Sequence, residues 1–153
     1  MDDLKAIAAE LGLGSPRTLI ASGNLLFKSA IGEDELRRKL EQHLERHMGR
    51  EVRVILRTAE EMEQVVRANP FTEVAGNRVQ AFFMNEPPPP DLLSSVRNQA
   101  EDERIALGQR EIFVAYGERG IGKSRLRIPA AEAGTARNMN TVAKLAELSR
   151  EMS

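Results

Sequence analysis

The chain has no cysteine and no tryptophan among its 153 residues. The first absence excludes disulfides, thiolate nucleophiles and thiolate metal sites, and it fits a reducing compartment. The second, with aromatics at only 4%, means that the core is built from Leu, Val, Ile, Ala and Met. Histidine is scarce as well, with two in the chain. His43 and His47 lie one helical turn apart in H-L-E-R-H, but Glu45 follows His43 by two positions, so the H-E-x-x-H zinc pattern is broken and no metal site is expected. No apolar run approaches the ~20 residues that span a bilayer. The start, MDDLKAIAAELGLG, carries two acids where a secretory leader needs basic residues. The chain reads as cytoplasmic, with no membrane partner.

What remains has the composition of a folded globular chain, 41% apolar and 29% charged. Its length suits one domain, or two small modules sharing a core. Leu4, Ile7, Ala8 and Leu11 recur at helical spacing before Gly12 and Gly14. "RTLIA" and "LLFKS" flank the turn cluster Ser22-Gly23-Asn24 and predict a β-hairpin. Leu36, Leu40, Leu44 and Met48 step by four residues and predict a helix over 33–48, stopped by Gly49. "VRVILR" (52–57) reads as a strand by its β-branched content. Thr58 and Glu61 form a capping box, opening a helix that Pro70 stops.

"RVQAFFM" (78–84) reads as a strand, followed by the stiff tract Pro87 to Pro90. Asp91 then caps a helix predicted to run to about 102. "ERIAL" and "EIFVAY" form a second hairpin about Gly108, and a last helix covers 140–151. The predicted fold class is therefore α+β, with two ferredoxin-like modules of mainly antiparallel sheet. The modules are placed at 1–69 and 70–153. The first lacks its opening strand and the second its closing one.

"GERGIGKS", Gly117 to Ser124, spells the complete P-loop pattern G-x-x-x-x-G-K-S. That motif works only between a strand and a helix whose positive end faces the phosphates. "EIFVAY" supplies the strand, but Pro129 leaves room for little more than one helical turn after Ser124. No candidate strand ends in the second magnesium-binding carboxylate. Nucleotide hydrolysis is thus a disfavoured reading. Neither Ser22 nor Ser124 has a histidine with a sequence reason to be near it, so no catalytic residue and no cofactor is expected. "QREIFVAY" matches half of an RNA-stacking strand, F-V-x-Y at Phe113 to Tyr116, and keeps RNA binding as an alternative.

Charge supplies the leading reading. Residues 108–144 hold seven basic residues against three acidic ones, in a chain of net charge −1. Lys123, Ser124, Arg125 and Arg127, together with Arg137, Asn138 and Asn140 near the last helix, form a candidate anion surface. Arg137 would be the bidentate partner and Lys123 a point charge. The expected activity is non-covalent binding of a phosphate- or carboxylate-bearing ligand. The same Arg and Asn residues also suit helix capping and loop anchoring.

Four phrases, "RTLIASGNLLF" (17–27), "VRVILRTAEEMEQVVRANPF" (52–71), "GIGKSRL" (120–126) and "GTARNMNTVAKLAEL" (134–148), resemble the DUF1697 family of small bacterial proteins. The resemblance runs in order along the whole chain. It implies two α+β modules and no assigned reaction, cofactor or catalytic residue. Members of the family often carry Arg at the position of Lys123, an exchange a P-loop does not tolerate freely. The resemblance therefore implies that the octapeptide match is accidental. It also implies an opening strand and glycine-containing loop ahead of the helix predicted at Met1, so the chain is expected to start inside the first module.

Overall fold

Acids lead and bases close the first described helix. Glu33, Asp34 and Glu35 occupy the first turn of α1 (Glu33–Met48), and Arg46 and His47 the last, which matches the helix dipole at both ends. Leu36, Leu40 and Leu44 form its buried stripe. Gly49 ends it in the left-handed conformation at φ 71°, its amide donating to the Glu45 carbonyl. The computed structural model describes residues 14–19, 24–28, 32–51 and 54–152. The helix expected over Leu4 to Leu11 lies outside them, as do Ser22 and Gly23 of the first turn.

The chain divides into two units, Met1–Ala59 with Glu147–Ser153, and Glu60–Ala146. In the first, β1 (Gly14–Leu19) and β2 (Asn24–Lys28) pair antiparallel, with Leu19 opposite Asn24 and Arg17 opposite Leu26. The expected hairpin is present. Of the strand expected over 52–57, residues 54–57 carry no ladder, and 52–53 lie outside the described residues. The Val54 amide donates instead to Glu41 Oε2 of α1 at 3.0 Å. A carboxylate takes the donor that a neighbouring strand would have used.

The second unit opens with α2 (Ala59–Ala68), which starts directly after Thr58, ends before Pro70 and buries Met62 and Val65. Its sheet contains β3 (Val79–Phe83), β4 (Arg104–Leu107), β5 (Glu111–Ala115) and β6 (Thr135–Asn138). The order is β4-β5-β3-β6 and every neighbouring pair is antiparallel. Cross-strand partners share a face. One face carries Val79, Ala81 and Phe83 with Phe113 and Ala115; the other carries Gln80 and Phe82 with Ile112 and Val114. All five β5 residues are buried, so an apolar run without alternation marks a strand covered on both sides. The Phe82 face packs with Met84, Leu92, Val96, Leu126, Ile128 and Ala131 from the loops that follow β3 and β5.

Two expectations are corrected here. The helix predicted from Asp91 to about 102 is a 3₁₀ turn, Leu92–Ser95. The Ser94 and Ser95 hydroxyls donate to the Asp91 and Leu92 carbonyls, which offers the backbone an alternative to a helix. Asn98 then adopts φ 58°, and the Arg97 and Arg127 backbones exchange hydrogen bonds of 2.9 Å. The second is that a strand not expected from the sequence, β6, lies just before the final helix. β6 pairs with β3 from Phe83–Thr135 to Gln80–Asn138, although T-A-R-N has no apolar pattern of its own. Its partner imposes the conformation. The final helix, α3 (Met139–Met152), follows without a break. No helix among the described residues is long and apolar enough to cross a membrane.

Gly134, one residue before β6, tests how tightly that strand is seated. A Cβ there would overlap the Phe83 carbonyl oxygen, whereas one on Gly122 would meet nothing within 4 Å. Gly134→Ala should cost about 2 kcal/mol of stability through overpacking, and Gly122→Ala less than ~0.5 kcal/mol. Urea denaturation of the two variants checks the contrast.

Candidate functional site

The segment with the P-loop pattern leaves β5 beside carboxylates. Gly117 lies so close to Asp102 that a Cβ would overlap its carboxylate. After Gly120, at φ 76°, comes only a short 3₁₀ turn, Ile121–Lys123, and Ser124 is already extended. The Ser124 hydroxyl donates to Glu103 Oε2 at 2.5 Å and accepts from the Leu126 amide. Glu103 is buried, and its other oxygen accepts from the Ala100 amide at 2.8 Å. A buried carboxylate thus holds the hydroxyl that a P-loop would offer to magnesium. No α-helix starts here to aim amides at an anion.

Beyond Ser124 the chain builds a different feature on the Phe82 face of the sheet. Strand alternation points Phe82 outward from β3, and Tyr116 follows β5 on the same face. Leu126 and Ile128 flank Arg127, whose backbone is fixed by the pairing with Arg97. Pro129 then starts the 3₁₀ turn Pro129–Ala133, suited by its fixed φ. That turn brings Ala131 and Glu132 back over the sheet. The result is a depression of about 180 Å³ with an apolar wall and a charged rim. On the rim Arg127 Nη2 donates to Glu132 Oε1 at 2.7 Å. The Tyr116 hydroxyl donates to Gln80 Oε1 at 2.9 Å. Burial, with the Glu103 charge adding to it, pushes the tyrosine up to about 12.

The family model for the protein of unknown function DUF1697 matches residues 1–113. The chain belongs to that family. The conserved bacterial protein SP0830 from Streptococcus pneumoniae has a similar solved structure. The likeness covers 97% of this chain and 88% of that one, at a TM-score of 0.77 and 24% identity. That likeness concerns the fold. No curated protein matches the chain at a significant level.

In this DUF1697 protein the seven residues expected to face an anion occupy separate places. Lys123, Arg125 and Arg127 are exposed along one loop, and Arg127 alone lines the depression. Ser124 is engaged with Glu103. Arg137 stands opposite Ala81 and so belongs to the other face of the sheet. Its Nη1 donates to the Ala136 carbonyl at 2.8 Å, and burial lowers its pKa. Asn138 caps α3, accepting from the Thr141 amide at 3.0 Å, which is the capping role its residue type suits. Asn140, exposed, packs its amide oxygen against Gly76. Phe82 and Glu132 were not singled out as ligand contacts by their sequence, and Tyr116 only as an RNA-stacking position. The one usable signal was Glu132, an acid five positions beyond Arg127 with a proline between them. Among the described residues, no three His, Asp or Glu side chains could together hold a metal ion.

Tyr116 is the only tyrosine of the chain, so its ionisation can be read without ambiguity. Its folded pKa is raised from 10.0 to about 12. The unfolded chain therefore loses its proton first, and stability should be intact below pH 10 and fall as pH rises through about 12. Ultraviolet absorbance of tyrosinate should show a late midpoint, and denaturation in urea should restore the ordinary one. Ser124→Ala should cost about 1–3 kcal/mol, because Glu103 stays buried without its hydroxyl donor. Comparing its urea midpoint with that of Arg125→Ala, an exposed neighbour, checks the difference.

Proposed function

We propose that this protein is a non-enzymatic binding module for a small ligand bearing a carboxylate or phosphate. The observation that carries this reading is Arg127, a guanidinium on the rim of an apolar-walled depression, held there by backbone pairing and matched by one exposed acid. Lys123 and Arg125 stand exposed on the same loop and add positive potential toward an approaching anion. Arg137, Asn138 and Asn140 take no part in this reading, since Arg137 stands opposite Ala81 on the other face of the sheet and Asn138 caps α3.

RNA binding and nucleotide hydrolysis have less support. Phe113 and Tyr116, the two stacking positions of an RNA-reading strand, are 1% and 6% exposed, and stacking needs open ring faces. Hydrolysis would need Ser124 free of Glu103. The same reading takes residues 70–153 as a ferredoxin-like module beside a related one at 1–69. In support, the first strand of its sheet lies between the third and the fourth, as in a split β-α-β arrangement. Short 3₁₀ turns stand where that arrangement would carry crossover helices.

A thermal-shift panel of carboxylates, amino acids among them, inorganic phosphate, nucleotides and short RNA tests the reading. A carboxylate or phosphate compound should raise Tm, and Arg127→Ala should abolish the shift. Silence toward every anion overturns the proposal. Magnesium-dependent stabilisation by ATP that is lost in Lys123→Ala, or salt-sensitive RNA affinity, transfers the function to one of the other two classes.

A further inference from the structure

The rim of the depression carries both signs of charge. Arg127 and Glu132 lie 2.7 Å apart, and their side chains are 66% and 58% exposed. A pair in such contact with water contributes only about 0–1 kcal/mol to stability, so opening it costs little. A ligand with one charge gains a partner there and strands the other. An anion on Arg127 leaves Glu132 unpaired beside it, and an amine on Glu132 leaves Arg127. A ligand that carries a carboxylate and an ammonium on one carbon replaces the single pair with two.

The wall behind that rim is apolar, formed by Phe82, Leu126, Ile128 and Ala131. The one polar side chain behind the rim, Tyr116, already donates its hydroxyl proton to Gln80. The depression measures about 180 Å³, and an apolar cavity on the order of 150 Å³ holds a benzene-sized group. A branched aliphatic side chain fits that space, and a polar one would leave its own groups unmet. We infer that the depression takes the side chain of a free apolar α-amino acid of about leucine size, with its carboxylate on Arg127 and its ammonium on Glu132. This rests on the carboxylate reading above and narrows it to a zwitterion.

Calorimetric titration of the full chain with three compounds of one branched skeleton tests the inference: leucine, 4-methylpentanoate (no ammonium) and isoamylamine (no carboxylate). Leucine should bind at least about tenfold more tightly than either, the gain of one charge-assisted contact. Glu132→Gln should erase the advantage of leucine over 4-methylpentanoate, and Arg127→Gln should abolish leucine binding. Both side chains are largely exposed, so each variant should keep the parent Tm. Equal or tighter binding of 4-methylpentanoate overturns the zwitterion inference and leaves the carboxylate reading standing. A response to inorganic phosphate alone also overturns it, while the broader anion reading survives. Silence toward all four compounds overturns the inference and removes the depression from the proposed function.

Discussion

The antiparallel ladder between β3 and β5 is the constraint from which the second unit is built. Its register, from Val79 opposite Ala115 to Phe83 opposite Glu111, decides which residues share a face. A slip of one position would send Phe82 to the opposite side and remove the back wall of the depression. Val79, Ala81, Ile112 and Val114 are completely buried, so such a slip would also exchange both packed faces at once. β4 and β6 then add to the two outer sides of this pair. Each is only four residues long, and each takes its conformation from the longer strand beside it.

This dependence explains what could be read in the sequence. α1 was legible because Leu36, Leu40 and Leu44 repeat at a helical period and Gly49 ends the repeat. β3 and β5 were legible because each is an apolar run bounded by turn residues. β6 was not, since Thr135–Asn138 contains one apolar residue and forms a strand only where Gln80–Phe83 offers a ladder. The segment after Asp91 misled in the opposite direction. Its cap and its leucines suit a helix, yet Ser94 and Ser95 turn their hydroxyls back onto the main chain and Arg97 pairs with Arg127. For β6 and for Arg97 the deciding partner lies tens of residues away, beyond the reach of a local pattern.

The candidate site follows the same rule. A basic stretch after Lys123 was visible as composition, and Arg127 was among its residues. The depression itself joins Phe82, Tyr116 and residues 126–132, and no window of sequence contains all of them. Asn138 was legible in one of its two readings, as a helix cap. Arg137 was legible as a cation, but the residue opposite it, Ala81, places it on the other face of the sheet. Proximity in sequence between Arg137 and Asn138 therefore implies nothing about a shared ligand, because adjacent strand residues point to opposite sides.

Two carboxylate environments within one unit show why charge alone is a poor guide to a site. Glu103 is buried, and its two oxygens accept from the Ser124 hydroxyl and the Ala100 amide. Removing either donor strands a charge in the interior, so this carboxylate organises the loop and cannot yield to a ligand without loss of structure. Glu132 faces Arg127 in water, where pairing contributes little to stability and can be exchanged for another partner. The octapeptide with the louder sequence pattern is tied to the first environment, and the unremarked acid after Pro129 belongs to the second. Binding needs groups that are positioned but not committed. In this protein the backbone pairing of Arg127 with Arg97 supplies the positioning, and the exposure of its guanidinium leaves the commitment open.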